Sequence, residues 1–534
     1  MLLRTAASSL ASLARRALSS SSSSLPMTKI VCTLGPASES SEIVHTLVSE
    51  GLVVARLNFS HVGSSYDEPQ AKLEVVRGAP GIHALLDDGV AEKRRPANLR
   101  AVMVDTKGPE IRTRPLPGGA PIAEIVAGAE IRLTHEDVTE KKSGEWLGHD
   151  YELMAQTVRL GSQVLLDDGL VALEVTGVEG SVVVTRALNS GPIKANKGVN
   201  LPGCALQLPA LTAKDRQDLE WAVASGADAV AASFIRNAAN VRAVVAHLER
   251  CCGQVGRKTR PLVISKIESQ EGVENFDGIL EASDGVMIAR GDLGVEIPFE
   301  LVFKAQKEMV AACNRAGKPV IVATQMIDSM QKNPRPTRAE VTDVGNAVLD
   351  GADAVMLSGE TAVGKYPVEA VRAMAKIVRE ADALVDRSSS FRSSRPRVSL
   401  DDASLGAVAS AAVETADAVD AAIIICITHT GSVAKAIAKM RPSVPVVALC
   451  GDERVARQLQ FHRGLQPILF PTPSEGGDAY HSKLMSDLRA EALRTCTELG
   501  WISSGDRVVV VDRKQGTSTD KHHNRVNLLV ITVA

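Results

Sequence analysis

The stretch Leu262–Ala323 indicates the fold class most clearly. It begins with LVISKIE (Leu262–Glu268), continues through GVMIA (Gly285–Ala289) and ends with VIVA (Val320–Ala323). These three apolar runs have the length of strands. Between the last two, Pro298–Ala316 has apolar residues at helical spacing. Strands that alternate with helices indicate a parallel sheet with helices packed against it.

The same alternation continues on both sides of this stretch. Five further strand candidates bring the total to eight: Lys29–Leu34, Val53–Phe59, Ala101–Asp105, Ala229–Phe234 and Ala354–Leu357. Eight strand–helix units in about 250 residues predict a closed (β/α)8 barrel. A doubly wound sheet is the alternative, but the chain contains no GxGxxG fingerprint.

The alternation is interrupted between about Arg112 and Pro209. Four short strand candidates replace it: Glu130–Leu133, Gln163–Leu166, Leu170–Val175 and Ser181–Ala187. The turn sequence Asp167-Asp168-Gly169 separates two of them and is a strong hairpin signal. We therefore expect a small β domain over residues 112–209, inserted after the third barrel strand, with the barrel itself on residues 27–111 and 210–387.

A second composition change marks the C-terminal part. The segment Ser388–Ser394, followed by Arg395-Pro396, has the composition of a linker. Beyond it, four more strand candidates are separated mostly by helical stretches: Ala421–Thr428, Val444–Leu449, Pro467–Phe470 and Arg507–Val511. This pattern predicts a separate α/β domain over residues 388–534.

Composition excludes several classes of protein. The 534 residues include 60 basic and 63 acidic side chains, a net charge of −3, and only 3% are aromatic. That balance does not suit a nucleic-acid-binding surface. No apolar run approaches the roughly 20 residues that a membrane-spanning helix needs. The eight cysteines lack zinc-ligand spacing, so we expect free thiols rather than a zinc site or a disulfide framework.

The N-terminus differs from the rest of the chain. Residues 1–38 contain no acidic side chain but do contain Arg4, Arg15 and Arg16 and the run Ser19–Ser24. Arg-rich, Ser-rich and acid-poor composition is typical of an organelle transit peptide, which we place on residues 1–26, with Arg16-Ala17-Leu18 as a processing site. We expect the mitochondrial matrix. The alternatives are a plastid, a tail without targeting function, or a cytoplasmic form that starts at Met27.

The candidate site residues lie where barrel strands end, because function gathers at the C-terminal face of such barrels. Lys266 and Glu268 lie two residues apart and so share one face of their strand. Asp292 follows in a Gly-containing turn after the next strand, where backbone N–H groups can receive an anion. Two carboxylates from neighbouring strands suit Mg²⁺.

Seven strings, taken together, are specific. They are Thr28–Ser38, Arg56–His61, Asp105–Arg112, Ile264–Glu268, Arg290–Gly294, Ala323–Met326 and Leu357–Thr361. In order and spacing they resemble the pyruvate kinase family, from about Thr28 to the C-terminus. The resemblance implies transfer of the phosphoryl group of phosphoenolpyruvate to ADP, the last step of glycolysis, with Mg²⁺ (or Mn²⁺) and K⁺. It also implies that the inserted β domain is a lid and that the protein is a homotetramer.

The resemblance assigns roles residue by residue. Lys266 would steady the transferring phosphoryl group and Arg56 would contact the phosphate, while Ser358 and Thr324 are candidates for relaying a proton. Gly291 and Asp292, with Thr324, would bind the substrate carboxylate. The ligand sets are Glu268 and Asp292 for Mg²⁺; Asn58, Ser60, Asp105 and Thr106 for K⁺; and Asn58, Phe59, Ser60, His61, Arg112 and Lys197 for the nucleotide.

Two further expectations concern ions and effectors. Family members with glutamate at the position of Glu110 require K⁺, whereas independent members carry lysine there. The turn Thr428-His429-Thr430-Gly431-Ser432 resembles the loop that holds an effector's phosphate, with Thr428, Thr430, Gly431 and Ser432 as candidates; an ordinary strand-to-helix turn is the alternative. Two other functions remain open, a different enolpyruvate enzyme on a barrel and a catalytically impaired member that acts as a metabolite sensor.

Overall fold

The computed structural model describes residues 25–79, 98–385, 403–470, 478–514 and 525–533. Almost all of the predicted transit segment, residues 1–24, and the predicted linker Ser388–Ser394 lie outside these ranges. None of the helices within them combines the length and apolarity that a membrane crossing needs.

The described residues form strands and helices that we number in chain order. The strands are β1 Lys29–Leu34, β2 Leu52–Asn58, β3 Ala101–Asp105, β4 Ala123–Ile125, β5 Glu130–Thr134, β6 Trp146–Gly148, β7 Gln163–Leu166, β8 Val171–Glu179, β9 Val182–Ala187, β10 Gly191–Ile193, β11 Val199–Asn200, β12 Ala229–Ala232, β13 Leu262–Ile267, β14 Gly285–Ala289, β15 Val320–Ala323, β16 Ala354–Leu357, β17 Ile423–Thr428, β18 Val446–Cys450, β19 Leu465–Leu469, β20 Arg507–Lys514 and β21 Arg525–Thr532. The α-helices are α1 Ser41–Glu50, α2 Asp67–Gly78, α3 Met154–Thr157, α4 Ala213–Ala224, α5 Ala238–Gln254, α6 Gln270–Glu274, α7 Phe276–Ala282, α8 Arg290–Glu296, α9 Val302–Ala316, α10 Arg338–Asp350, α11 Gly359–Ala362, α12 Pro367–Leu384, α13 Ala403–Ala418, α14 Ser432–Lys439, α15 Glu453–Leu459 and α16 Asp478–Glu498.

Eight parallel strands close into a barrel in the order β1-β16-β15-β14-β13-β12-β3-β2. The predicted (β/α)8 barrel is therefore confirmed, and the doubly wound alternative is wrong. The strands are buried on both faces, as parallel strands covered by helices must be. One apolar cluster fills the layer between strands and helices, and a second fills the barrel interior.

The predicted strand ends needed small corrections. The second strand ends at Asn58, and residues 59–61 form a 3₁₀ turn. The fourth ends at Ala232, because Phe234 adopts a positive φ of 54° that no strand can contain. The fifth strand ends at Ile267, so Glu268 lies one residue beyond it. All three corrections lie at the C-terminal face of the barrel, where the chain leaves the sheet to form the candidate site.

The insertion after β3 forms a six-stranded sheet in the order β11-β7-β8-β9-β5-β6, beside a two-stranded one, β10-β4. The predicted hairpin is present: Leu166 pairs with Val171 in antiparallel register. Between them Asp167, Asp168 and Gly169 all have positive φ, which Asp and Gly tolerate better than other residues. The short strands β4, β6, β10 and β11 were not predicted.

The C-terminal domain contains a five-stranded sheet in the order β19-β18-β17-β20-β21. Four of its strands are parallel, which confirms the predicted α/β class. The fifth, β21, pairs antiparallel with β20 at the edge of the sheet and was not predicted.

The C-terminal domain closes the N-terminal end of the barrel. Phe461 is fully buried and packs into the barrel interior. At the same contact, the carbonyls of Pro26 and Met27 accept hydrogen bonds from Gln466 Nε2 (2.7 Å) and Gly464 N (2.8 Å). Lys29 Nζ donates to the Leu465 carbonyl at 2.5 Å. The opposite, C-terminal end of the barrel faces the inserted domain and is where the candidate site lies.

Candidate active site

Three barrel strands bring a buried charge cluster together. Lys266, near the end of β13, lies with its Nζ 2.8 Å from Glu268 Oε1 and 3.1 Å from Asp105 Oδ1. It also donates a hydrogen bond to Ser233 Oγ at 2.7 Å. Arg56 Nε donates to the second oxygen of Asp105 at 2.6 Å. Lys266, Asp105 and Glu268 are all nearly inaccessible to solvent, so their charges act on one another in a low-dielectric environment.

The cluster keeps its central pair ionised. Burial alone would raise the pKa of Asp105, but Arg56 and Lys266 lower it below its ordinary value. Burial alone would lower the pKa of Lys266, yet Asp105 and Glu268 raise it above its ordinary value. Lys266 is therefore a fixed ammonium, which is what a site needs to stabilise charge on a phosphoryl group.

Glu268 is the member of the cluster whose negative charge is opposed by its surroundings. Burial raises its pKa to about 7, Lys266 opposes that shift, and the neighbouring charge of Asp292 adds to it. Its Oε2 accepts a hydrogen bond from the Phe234 backbone N–H at 2.6 Å. Two carboxylates near each other in a buried place are destabilised unless a cation lies between them. This donor set fits Mg²⁺, which binds one or two carboxylates together with substrate oxygens.

A strained turn follows β15. Thr324 and Gln325 have φ values of 68° and 53°, a conformation that is rare for a β-branched residue such as threonine. The Thr324 hydroxyl accepts the Gly291 backbone N–H at 2.7 Å, which joins the turn to the start of α8. Arg290 Nη2 donates to the Thr324 carbonyl at 2.9 Å and pairs with Asp343 at 2.7 Å. Such strain persists where the surroundings enforce it, typically at functional sites.

Ser358, just after β16, contributes an unused hydroxyl. Its backbone N–H donates to Glu360 Oε2 at 2.7 Å, while its buried Oγ has no hydrogen-bond partner among the residues the structure describes. Buried polar atoms are nearly always paired in folded proteins. A lone hydroxyl here fits a group that hydrogen-bonds to substrate or to water bound with it.

A cavity of about 420 Å³ lies between the barrel mouth and the inserted domain. It is lined by Glu110, Arg112, Lys197 and Asp292, among others. Arg112 pairs with Glu110, and Lys197 Nζ lies 2.9 Å from Asp167 Oδ1. The cavity therefore brings two predicted nucleotide-binding cations near a predicted metal ligand.

The predicted group Asn58–His61 stands outside the lining of that cavity. Asn58 Oδ1 accepts the Ser60 backbone N–H at 3.2 Å and so begins the 3₁₀ turn. Phe59 is fully buried, with its ring centroid 5.2 Å from that of Trp221 and 6.0 Å from that of Tyr66. Because the Phe59 side chain packs into the core beneath the turn, only its backbone is left to contact a ligand.

Several site residues were not found from the sequence. Ser233 bridges the cluster: it accepts from Lys266 and donates to the Thr106 carbonyl at 2.6 Å. Arg290 with Asp343 holds the strained turn, and Glu360 accepts the backbone N–H groups of Ser358 and Ile327. Ser233 lies just beyond a barrel strand and could have been selected on that ground. Arg290 and Glu360 act through backbone contacts and Asp343 acts through its ion pair with Arg290, and these contacts leave no signal in the sequence.

The candidate effector turn lies between β17 and α14. Thr428 Oγ1 accepts the Gly431 backbone N–H at 3.0 Å, and Gly431 has a φ of 81°. Thr430 Oγ1 lies 3.1 Å from Ser432 Oγ. The four predicted residues are thus brought together, in a geometry that suits both an anion-binding turn and an ordinary helix start.

Comparisons with known proteins agree with this architecture. The family model "Pyruvate kinase, barrel domain" matches residues 25–371, and "Pyruvate kinase, alpha/beta domain" matches residues 406–532. A pyruvate kinase of Sporosarcina psychrophila is 41% identical over 487 residues, 90% of this chain and 77% of the relative. One of Eimeria tenella is 42% identical over 485 residues, 91% of this chain and 86% of the relative. Since the matches extend through the barrel, the insertion and the C-terminal sheet, the chain belongs to the pyruvate kinase family, and its activity is the one that gives the family its name.

Proposed function

We propose that the barrel mouth transfers the phosphoryl group of phosphoenolpyruvate to ADP with Lys266 as the cation at the moving group. The observation that carries this is the buried cluster of Lys266, Asp105, Glu268 and Ser233, which fixes an ammonium at the strand ends. Phosphoryl transfer depends mainly on positioning and electrostatic stabilisation, and a preorganised cation supplies both. Arg56, held by Asp105 and by Thr33 Oγ1 at 3.0 Å, is the second cation, for the substrate phosphate.

Two metal sites belong to this proposal. Glu268 and Asp292 would hold Mg²⁺ or Mn²⁺, which supplies Lewis-acid stabilisation of the enolate and phosphoryl oxygens when bound. Asn58, Ser60, Asp105 and the Thr106 carbonyl would hold K⁺. Their donor atoms are all oxygens and include a single carboxylate, which fits a large monovalent ion. Supporting this, Ser233 lies within hydrogen-bonding distance of both Asp105 and the Thr106 carbonyl, so those two oxygens already lie close together.

The substrate carboxylate would bind at the start of α8. The Gly291 and Asp292 backbone N–H groups and the Thr324 hydroxyl are the proposed donors, and the Gly291–Thr324 hydrogen bond supports their grouping. Ser358, with its unpaired hydroxyl, and Thr324 are the proposed relay for the proton that converts enolpyruvate to pyruvate. Because an unaided hydroxyl is a weak acid near neutral pH, the relay includes water.

The nucleotide would occupy the cavity under the inserted domain. Arg112 and Lys197 supply positive charge there for the ADP phosphates, beside Asp292. The Asn58–His61 turn is the remaining proposed contact. A phosphorylated effector is proposed at Thr428–Ser432, and its identity is to be found by testing a panel of sugar phosphates and nucleotides.

Two exposed apolar surfaces support a homotetramer. Phe299, in the 3₁₀ turn before α9, and Phe303, in the first turn of α9, are 83% and 64% exposed. Large exposed apolar patches mark protein contacts. On the C-terminal domain, the edge strand β21 presents exposed Leu529 and Val530. The measurement is the mass in solution by light scattering. A monomeric mass would contradict the proposal.

One assay tests the activity and separates the alternatives. Pyruvate formed from phosphoenolpyruvate and ADP, with Mg²⁺ and K⁺, is followed through lactate dehydrogenase. The proposal expects activity that requires ADP. The family matches argue against the two alternatives, a different enolpyruvate enzyme and a catalytically impaired sensor. Consumption of phosphoenolpyruvate without ADP, or binding without turnover, would contradict the proposal.

A further inference from the structure

Three potential metal ligands meet on the outer wall of the barrel, away from the strand ends. Glu220 lies on α4, and His247 and Cys251 lie one turn apart on α5, so the last two share a helix face. A carboxylate oxygen, an imidazole nitrogen and the sulfur all lie within 4.8 Å of one another. Both α5 residues are buried, while Glu220 is exposed, so the group is reachable from solvent on one side.

The hydrogen bonds of His247 fix which ring nitrogen is available. Nε2 lies 3.1 Å from the Arg216 carbonyl, which can only accept, so Nε2 carries the hydrogen. Nδ1 then has a lone pair, and Arg250 Nη2 donates to it at 2.5 Å. A histidine whose far N–H donates to a backbone carbonyl is the arrangement that metal-binding histidines adopt. Here the lone pair already contacts a cation, the guanidinium of the exposed residue Arg250.

The same three residue types could also form a nucleophilic cysteine, but the electrostatics oppose that. Burial raises the pKa of the Cys251 thiol, and the charge of Glu220 raises it further. The thiolate that attack requires is therefore scarce at neutral pH. A divalent cation reverses this, because its charge replaces the thiol proton.

We infer that Glu220, His247 and Cys251 form a binding site for a thiophilic divalent cation, with Zn²⁺ as the expected ion. One oxygen, one nitrogen and one sulfur leave the fourth tetrahedral position for water. Binding displaces the Arg250 guanidinium from Nδ1 and releases the Cys251 thiol proton to solvent as the sulfur–metal bond forms. The site differs in chemistry from the all-oxygen set of Glu268 and Asp292, so Mg²⁺ does not compete for it.

The test uses Co²⁺ as a visible probe of the full chain after treatment with a chelator. We expect the sulfur-to-cobalt charge-transfer band and the visible bands of tetrahedral Co²⁺ at one equivalent, and their loss when Zn²⁺ is added. Cys251→Ser and His247→Gln should weaken binding by more than about tenfold. Cys252→Ser is the matched control, since this neighbouring thiol is also buried, and it should leave the bands unchanged.

Two more variants keep the test decisive if a buried substitution prevents folding. Glu220→Gln changes an exposed side chain and should weaken binding, whereas Arg250→Ala removes the competing cation and should tighten it. Activity with Mg²⁺ and K⁺ should be the same in all folded variants. Absence of the bands in the wild type, bands that survive Cys251→Ser, or weaker binding in Arg250→Ala would each overturn the site.

Discussion

The Nζ of Lys266 lies 3.1 Å from Asp105 Oδ1, although β12 separates the strands that carry the two residues. Ser233, which follows β12, fills the gap: its Oγ accepts a hydrogen bond from Lys266 at 2.7 Å and lies 3.1 Å from Asp105 Oδ1. Three adjacent strands thus fix the position of one ammonium group. A cation held in this way needs little reorganisation when charge develops on a substrate, which is the condition for large electrostatic catalysis.

Replacing that cation should nearly abolish turnover. Lys266→Met removes the ammonium and leaves Glu268 and Asp105 with one positive neighbour fewer, so we expect ATP formation to fall by about 10²–10³-fold or more. The coupled assay measures it. Lys304→Met, on the exposed surface of α9, is the control and should retain full activity. A Lys266→Met enzyme with more than roughly a tenth of the wild-type rate would show that another group stabilises the phosphoryl.

Removing the unpaired hydroxyl of Ser358 should slow proton transfer to enolpyruvate more than it slows phosphoryl transfer to ADP. In Ser358→Ala, exchange of the pyruvate methyl hydrogens with deuterated water should slow by about 10²-fold, the usual scale for general acid–base catalysis. ATP formation should fall less, because Lys266 is unchanged. Nuclear magnetic resonance measures the exchange, and Ser49→Ala, at an exposed position of α1, is the control. Unchanged exchange would assign the proton to Thr324 and water alone.

Activity should depend on K⁺ through the charge at Glu110. In Glu110→Lys we expect a higher rate without K⁺ and a flatter response to it, because a lysine ammonium can supply the missing positive charge. Maximal turnover should drop, since Arg112 loses its ion-pair partner in the cavity. The measurement is initial rate against K⁺ concentration at saturating Mg²⁺, in a bulky organic cation as background. A wild-type enzyme that is equally fast without K⁺ would contradict the proposed K⁺ site.

The buried Lys29 should make stability depend on pH. Burial lowers its pKa from 10.5 to about 7, although Asp382 acts in the opposite direction. Below pH 7 both folded and unfolded states carry the charge, and the folded state bears the full cost of burying it. Between 7 and 10.5 only the unfolded state keeps the proton, so the free energy of unfolding rises by up to about 1.4 kcal/mol per pH unit from this group.

Lys29→Met removes that contribution. The free energy of unfolding of the variant should exceed that of the wild type by the largest amount near about pH 6. The excess should shrink toward about pH 9.5, where the wild-type lysine is neutral in the folded state. Thermal midpoints of both proteins, measured across this range, give the difference; Lys304→Met should show no such trend. A difference between Lys29→Met and wild type that stays constant with pH would contradict a neutral buried lysine.

Targeting is tested separately from catalysis. We propose import into the mitochondrial matrix, because residues 1–26 are positively charged and free of acidic residues. The segment fused to a fluorescent protein should enter mitochondria, and replacing Arg4, Arg15 and Arg16 by Gln should prevent it. A plastid signal would change the organelle, and a diffuse cytosolic signal would argue against any targeting function.

The barrel could be predicted closely because its strands are fully buried. Val320–Ala323 and Gly285–Ala289 are continuous apolar runs with polar residues or helices on either side, so the sequence marks both ends. The edge strand β21 was missed although its sequence, RVNLLVIT, is rich in β-branched and apolar residues. Its antiparallel pairing at the edge breaks the strand–helix alternation on which the prediction relied.

The site was predictable only in part, for a related reason. Lys266, Glu268 and Asp292 carry charges at strand ends, which can be recognised in the sequence. The left-handed conformation of Thr324 cannot, because it results from contacts with Gly291 and Arg290, which lie more than thirty residues earlier in the chain. Nor does the sequence reveal that Phe59, inside a predicted nucleotide-binding string, is packed against Trp221.

The hydrogen bonds at the Pro26 and Met27 carbonyls limit how much of the N-terminus can be removed without loss of contacts to the C-terminal domain. A protease that removed the proposed presequence after Leu18 would leave both carbonyls bound to the C-terminal domain, through Gln466 and Gly464. A chain begun at Met27 would keep one of the two, and trimming past Met27 would lose both and leave only Thr28 before β1. The organellar and internally initiated forms would therefore share one catalytic centre. They would differ in the number of hydrogen bonds that hold the N-terminal end of the barrel to the C-terminal domain.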